Sequence, residues 1–495
     1  MTENATSNPT KQSTPRRPPV WLSLIPIVTL VGLLFITIRI FGSDALGGGS
    51  QISLIIAAAV TSILAMSYSK ISWHNIEKHI AQNVQGVASA LVILLLIGAL
   101  SGSWMISGVI PTLIYYGMKI MSPEFFLPSC CAICAIVSVM TGSSWTTIAT
   151  IGVALMGIGH AQGFSDGWIA GSIISGAYFG DKMSALSDTT VLAAAATGTR
   201  LFDHIQYMML TTVPSMAITL IVFTIASLST CTTSTIDTTA FTQAIAGTFH
   251  IHPCLLLVPV IAGIMIIKKV PSLITLFASA ICGSIAALIA QPEILLQVAG
   301  KANILANESI ASALFEGSYI TLFGSTHIAT GLSSLDELVS TSGMSGMMDT
   351  LWLIICAMCF GATLTASGML ESIMHSLKGL MSNRFGLVST TVGSGIFFNA
   401  CTADQYISIF LASRMFGTIY SKQGYESRLL SRTIEDGVTV TSPLIPWSTC
   451  GMTQSTILGV STVVYLPYCI FNFVSPLMSI LITSIGYKVF RNKPD

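Results

Sequence analysis

Asp181, Lys182 and Asp188 fall together in the segment 180–190, interleaved with Ser184 and Ser187. From Gln85 to Thr199 the only other formal charges are Lys119, Glu124 and Asp166. A carboxylate in surroundings this apolar is costly, and its presence marks a functional position. Burial favours its protonated form, whereas a bound cation or the adjacent Lys182 favours the ionised form. A carboxylate poised between the two can hold either a proton or a metal ion, which is the elementary requirement of cation/proton exchange. Hydroxyls at a helix break suit the same task, because hard cations take oxygen ligands from carboxylates, hydroxyls and unwound backbone carbonyls. The competing reading is a solvated loop in which Ser187 or Asp188 caps the next helix.

Two further polar interruptions stand in opposite halves of the chain, Thr141-Gly142-Ser143-Ser144-Trp145-Thr146-Thr147 and Asn399-Ala400-Cys401-Thr402-Ala403-Asp404-Gln405. Half-helix ends at such breaks would aim backbone dipoles at a shared midplane site. The candidate set is therefore Asp181, Asp188, Ser184 and Ser187, joined by Thr141, Ser143, Ser144, Asn399, Thr402 and Asp404, with Na⁺ held at Asp181 and Asp188. For Asp404 the plain alternatives are an ion pair with Arg414, the only other charge close by, or a place in an interfacial loop. Glu435 and Asp436 follow Arg428 and Arg432, a pattern equally compatible with a salt-bridged cytoplasmic loop. The stretch Thr439–Trp447 contains Pro443 and Pro446 and cannot be one regular helix.

The elements that must position these groups are membrane helices. Only 8% of the 495 residues are charged and 52% are hydrophobic, whereas about a quarter of an average soluble chain is charged. So few charges cannot cover a water-facing surface, and lipid must be the main solvent. The apolar runs predict an all-α integral membrane protein of about 10–13 transmembrane segments, several shorter than the roughly 20 residues of a straight crossing. Clear runs are Trp21–Ile38, Ile52–Met66, Val87–Met105, Tyr207–Leu228, Leu255–Ile267, Leu273–Ile289, Leu351–Ala366, Leu387–Phe398, Ile407–Phe416 and Val463–Ile485. Short, interrupted runs point to broken helices and re-entrant hairpins, which a membrane tolerates only where protein or a watery cavity surrounds them.

Lys and Arg mark one side of the membrane, from Arg16 and Arg17 through Lys70, Lys78, Arg200 and Lys268 to Lys488. The segment Ser229–His252 carries none. The expected order is a disordered cytoplasmic tail at 1–19, a first membrane repeat at 20–228, an external loop at 229–252 and a second, inverted repeat at 253–490. Both termini then lie in the cytoplasm. Weak internal symmetry agrees: Asp181, Ser184 and Ser187 are matched by Asp436, Thr439 and Ser442 at the same offsets. Gly98-Ala99-Leu100 with Ser107-Gly108 is likewise matched by Gly361-Ala362-Thr363 with Ser367-Gly368.

Several classes are excluded or set low. A formal net charge of zero offers no basic surplus for a nucleic-acid partner. Cys130, Cys131 and Cys134 lie inside an apolar run and read as packing residues. No nucleophile with its base, metal dyad or nucleotide-binding glycine loop suggests an enzyme. A channel would also use broken helices, but an inverted repeat favours alternating access.

The segment Ser175-Gly176-Ala177-Tyr178-Phe179-Gly180-Asp181-Lys182-Met183-Ser184-Ala185-Leu186-Ser187-Asp188-Thr189-Thr190 resembles the signature of the NhaC family of Na⁺/H⁺ antiporters. The resemblance runs from about Trp21 to Phe490 and includes Thr141-Gly142-Ser143-Ser144-Trp145. Where the family usually has Pro and Asn, this chain has Ala185 and Val191. The resemblance implies a bacterial inner-membrane antiporter that exchanges internal Na⁺ for external H⁺, with no bound cofactor. It also implies kinship with the ion-transporter superfamily and hence a homodimer, with a mobile transport domain on a dimeric scaffold. The second reading is a Na⁺- or H⁺-coupled transporter of an organic anion or amino acid, of the malate/lactate type. A carboxylate substrate would want half-helix N-termini or a buried cation, for which Lys182 and Arg414 are the candidates.

Overall fold

The computed structural model describes residues 17–41, 48–231, 238–268, 270–300, 309–331, 335–336 and 339–490. Almost everything described is helical, and the only sheet-like pairing is an isolated antiparallel bridge between Thr326 and Thr341. In hydrocarbon a helix satisfies its own backbone polar groups, so apolar runs of this length become helices. Seven are long and apolar enough to cross a membrane, and two bent helix pairs raise the number to nine. Leu387–Phe398 and Ile407–Phe416 lie in helices of 19 and 18 residues, Arg384–Thr402 and Gln405–Lys422. Their polar residues lower their hydropathy, and each helix buries one face while Phe385, Ile396, Tyr406 and Phe410 stay exposed.

The run Val463–Ile485 is not one straight helix. It bends by 55° between Thr462–Tyr468 and Ile470–Ile485, where the 3₁₀ turn Leu466–Tyr468 contains Pro467, a residue that cannot continue the donor ladder. A sharper bend of 93° separates Thr242–Thr248 from Pro253–Met265. The segment read as an external loop thus carries the helix Thr238–Thr248. Residues 1–16 of the expected tail and 232–237 of that loop lie outside the described residues.

One succession of elements occurs twice. Ala88–Ile106 passes through left-handed Gly108 into Val109–Ile120, and Phe126–Thr141 then ends at left-handed Gly142. Met348–Ala366 is followed by left-handed Gly368 and Met369–Ser376, and Arg384–Thr402 ends at left-handed Ala403. Ala403 holds φ 58°, a conformation costing a residue with a Cβ roughly 1–2 kcal/mol. Beyond each left-handed residue a capped helix starts, at Ser143 or Asp404. Each run also contains a π-helical stretch, Ile148–Gly152 or Glu435–Thr439. Such stretches recur at functional sites.

The helix that ends in Asp181 is seated by close backbone approach. A Cβ on Gly176 would lie 2.1 Å from the Cys131 carbonyl oxygen, and one on Gly180 would lie 2.4 Å from that of Ala135. Small residues let two membrane helices meet in this way, and Ser138 adds a hydrogen bond to the Ala177 carbonyl at 2.6 Å. Cys130, Cys131 and Cys134 are fully buried in this contact and belong to the apolar core.

Candidate functional site

Both polar breaks open onto one cavity of about 290 Å³. Thr141, Ser143, Ser144, Asp181 and Asp188 line it from the first half of the chain, and Asp404 lines it from the second. Thr146, Gln405 and Tyr406 add to the polar wall with Ser89, Thr189 and Ser272, and among the described residues no Lys, Arg or His lines it. Tyr406 stands within electrostatic reach of Asp188, Asp181 and Asp404. Three carboxylates around one small space repel one another, so the space favours a bound cation or protons.

The carboxylates differ in setting. Asp181 is buried, at the end of Asp166–Met183, and its Oδ2 accepts a hydrogen bond from Ser144 Oγ at 2.7 Å. This contact joins the Thr141–Thr147 break directly to the segment 180–190. Asp188 is exposed at the first turn of Asp188–Ala196. Asp404 is buried and is the N-cap of Gln405–Lys422: its Oδ1 accepts from the Ile407 amide at 3.0 Å and its Oδ2 from Thr449 Oγ1 at 3.2 Å. The alternative pairing with Arg414 does not occur, because Arg414 lies over the Phe410 ring and lines a different cavity with Arg17, Glu371 and His375.

The remaining candidates hold the break geometry. Ser143 caps the helix Ser144–Thr147 through the Thr146 amide, and Thr141 Oγ1 reaches the Ser143 carbonyl at 3.2 Å. Ser187 caps the next helix through the Thr190 amide, as the loop reading expected. Ser184 donates to the Val139 carbonyl at 2.8 Å and accepts from the Leu186 amide. Thr402 donates to the Asp404 carbonyl at 3.0 Å. Asn399 donates its amide to the Val438 carbonyl at 2.6 Å, and its buried Oδ1 has no hydrogen-bond partner among the described residues. Ser184, Ser187, Asn399 and Thr402 support the cavity rather than line it. Val191, where an Asn is usual in the NhaC signature, is exposed and is not a lining residue.

Behind the cavity lies a second polar cluster. Lys182 Nζ is bonded to Asp436 Oδ1, with Ser475 Oγ at 3.0 Å and Thr211 Oγ1 at 3.4 Å. Lys182, Asp436, Glu435, Arg432 and His204 are all fully buried. The salt-bridged-loop reading of Glu435 and Asp436 is therefore corrected. Only Arg428 makes a partly exposed pair, with Glu426; the helix Ser427–Ile434 turns inward one turn later. The sequence signal for this was the match of Asp436, Thr439 and Ser442 to Asp181, Ser184 and Ser187.

A second cavity, of about 400 Å³, is lined by Ile97, Gly98, Ser101 and Met105, whereas Val87 to Ile93 line the first. The two cavities thus sit along opposite halves of the Ala88–Ile106 helix. The second also contains His160 and Asp166, paired at 3.1 Å.

A family model described as the Na⁺/H⁺ antiporter family matches residues 176–487. The Na⁺/H⁺ antiporter NhaC of Alkalihalophilus pseudofirmus is 35% identical over 443 residues, covering 90% of this chain and 92% of that protein. The malate-2H⁺/Na⁺-lactate antiporter of Bacillus subtilis is 31% identical, covering 90% of this chain and 91% of that protein. The arginine/ornithine antiporter ArcD of Halobacterium salinarum is 30% identical, covering 97% and 95%.

Proposed function

This chain belongs to the Na⁺/H⁺ antiporter family, and on that premise we propose that it exchanges Na⁺ for H⁺ across the bacterial cytoplasmic membrane. It is a transporter rather than an enzyme, as its family and relatives are antiporters. Asp181 is the carboxylate for which cation and proton compete, and Ser144 orients it. Asp188 adds negative charge at the open side of the cavity. Ser143, Thr141 and Asp404 fix the two helix breaks, so that oxygen donors are in place before the ion arrives.

The observation that carries this reading is the cavity wall itself: three carboxylates, several hydroxyls and, among the described residues, no cationic side chain. The same wall speaks against a dicarboxylate substrate. Lys182 is committed to Asp436, and Arg414 lies elsewhere. A substrate bearing an ammonium group is the second reading, because the same acidic wall would receive it. The two cavities along the Ala88–Ile106 helix are the approaches from the two sides, used alternately. We further propose two inverted repeats at 20–228 and 253–490, cytoplasmic termini, an external 229–252 segment and a homodimer.

Proteoliposomes loaded at acid pH, with a fluorescent pH dye inside, test the reading. Internal alkalinisation on adding Na⁺ alone is expected. No response to Na⁺ alone, with a response once arginine, ornithine, malate or lactate is supplied, would replace the inorganic exchange with an organic one.

A further inference from the structure

Glu435 is a fully buried carboxylate that the exchange described above does not use. Neither of its oxygens accepts a well-formed hydrogen bond among the described residues; the nearest donors are the hydroxyls of Thr439, one turn on, and of Thr189. Leaving an ionised carboxylate in this state costs several kcal/mol, so the side chain must hold a proton or meet a counterion. Glu435 lines neither the 290 Å³ nor the 400 Å³ cavity. The fixed positive charges nearby disfavour a metal ion over a proton.

Those charges also make the ionised state reachable. Lys182 from the Asp181 helix stands within electrostatic reach of both Glu435 and Arg432. Arg432, three residues before Glu435, donates to Thr483 at 2.9 Å and lies over the Tyr207 ring, but its Nε and Nη1 have no acceptor among the described residues. Of the other groups facing the cluster, Asp181 lies within electrostatic reach of Glu435. His204 bonds Ser431 through Nδ1 at 2.8 Å, and Tyr420 bonds Thr391. Asp436 is held by Lys182 and Ser475. The cluster thus has two fixed cations and only one committed anion. Glu435 sits in the π-helical stretch Glu435–Thr439, whose extra residue per turn gives slack for a change of partner.

We propose that Glu435 is a second proton-carrying carboxylate, separate from the cation cavity, and that it makes the exchange electrogenic. Protonated, it stands apart from the cations; ionised, it shares Lys182 with Asp436 or takes the open edge of Arg432. Exchange of Na⁺ for a proton at Asp181 moves no net charge. A further proton on Glu435, bound on one side and released on the other, moves one positive charge per cycle, opposite to Na⁺.

This rests on the Na⁺/H⁺ exchange proposed above, and the test separates the two. Full-length wild-type protein and Glu435→Gln are reconstituted, and Na⁺-driven proton flux is measured with the membrane potential clamped by K⁺ and valinomycin. The expected result is a voltage-dependent flux in wild type and loss of that dependence in Glu435→Gln, with exchange retained. An equal voltage response in both overturns the role of Glu435 while leaving the exchange intact; no flux in wild type overturns the exchange itself. Infrared spectra of the purified proteins give a readout independent of transport. A protonated-carboxyl band lost in Glu435→Gln and kept in Asp181→Asn is expected, and a band unchanged in Glu435→Gln overturns the proposal. If Glu435→Gln does not fold, Glu435→Asp is expected to restore voltage-dependent exchange with a shifted pH profile, and a wild-type profile is the contrary result.

Discussion

Asp181 and Lys182 are neighbours in sequence and belong to two different environments. Asp181 ends its helix at an open, acidic cavity, with a serine hydroxyl on one oxygen. Lys182 points into a sealed cluster and pairs with Asp436 from the far half of the chain. A charge that faces a cavity can change partner as an ion or proton arrives. A charge locked in a buried pair has lost its water, and removing its partner leaves an uncompensated ion. In the proposed exchange the first kind of position takes ion or proton, and the second holds the two halves together around it.

Substitutions at the two positions separate these roles. Asp181→Asn keeps the shape and can still accept from Ser144, so Na⁺-dependent proton flux should vanish while thermal stability in detergent stays near wild type. A variant that melts early would make Asp181 part of the structural cluster instead. Lys182→Met should do the reverse at first hand, costing about 3–5 kcal/mol of stability by stranding Asp436, read as a lowered melting temperature. Undiminished stability would mean that the pair is dispensable.

Smaller effects sharpen the picture within the cavity. Ser144→Ala removes the group that orients Asp181, and should raise the half-saturating Na⁺ concentration about tenfold, the scale typical of groups that hydrogen-bond and orient a metal ligand. An unchanged value would detach the Thr141–Thr147 break from ion binding. Asp188→Asn should weaken Na⁺ dependence only a few-fold, because an exposed charge interacts at about 0.2–1 kcal/mol. Glu124→Gln, on the exposed 3₁₀ turn Pro123–Phe125, should leave exchange at the wild-type level. Equal losses in Asp181→Asn and Asp188→Asn would contradict the distinction between them.

Much of this was legible in the sequence. The long apolar runs predict the helices, since hydrocarbon leaves the backbone little alternative. The two breaks also read correctly as polar interruptions, because Thr141–Thr147 and Asn399–Gln405 combine hydroxyls with residues that stop a helix. The difference in setting between Asp181 and Asp188 was not legible, because seven residues of sequence conceal a helix end and a change from buried to exposed. Least legible was the Lys182–Asp436 pair, whose partners lie 254 residues apart. Arg428 and Arg432 beside Glu435 suggested a local salt-bridged loop, whereas Arg432 and Glu435 are buried one helical turn beyond the partly exposed Arg428–Glu426 pair. His204 gave no signal at all: a histidine in an amphipathic helix start looks solvated until Ser431 is placed against it.

The central claim is that one carboxylate, Asp181, binds either Na⁺ or a proton. Equilibrium binding of radioactive Na⁺ to the purified protein, measured at several pH values for wild type and Asp181→Asn, tests it most directly. The account predicts wild-type affinity that weakens as the pH falls, since protons then occupy Asp181, and no saturable binding in Asp181→Asn. Na⁺ binding of equal strength in the two proteins, or wild-type affinity indifferent to pH, would contradict it.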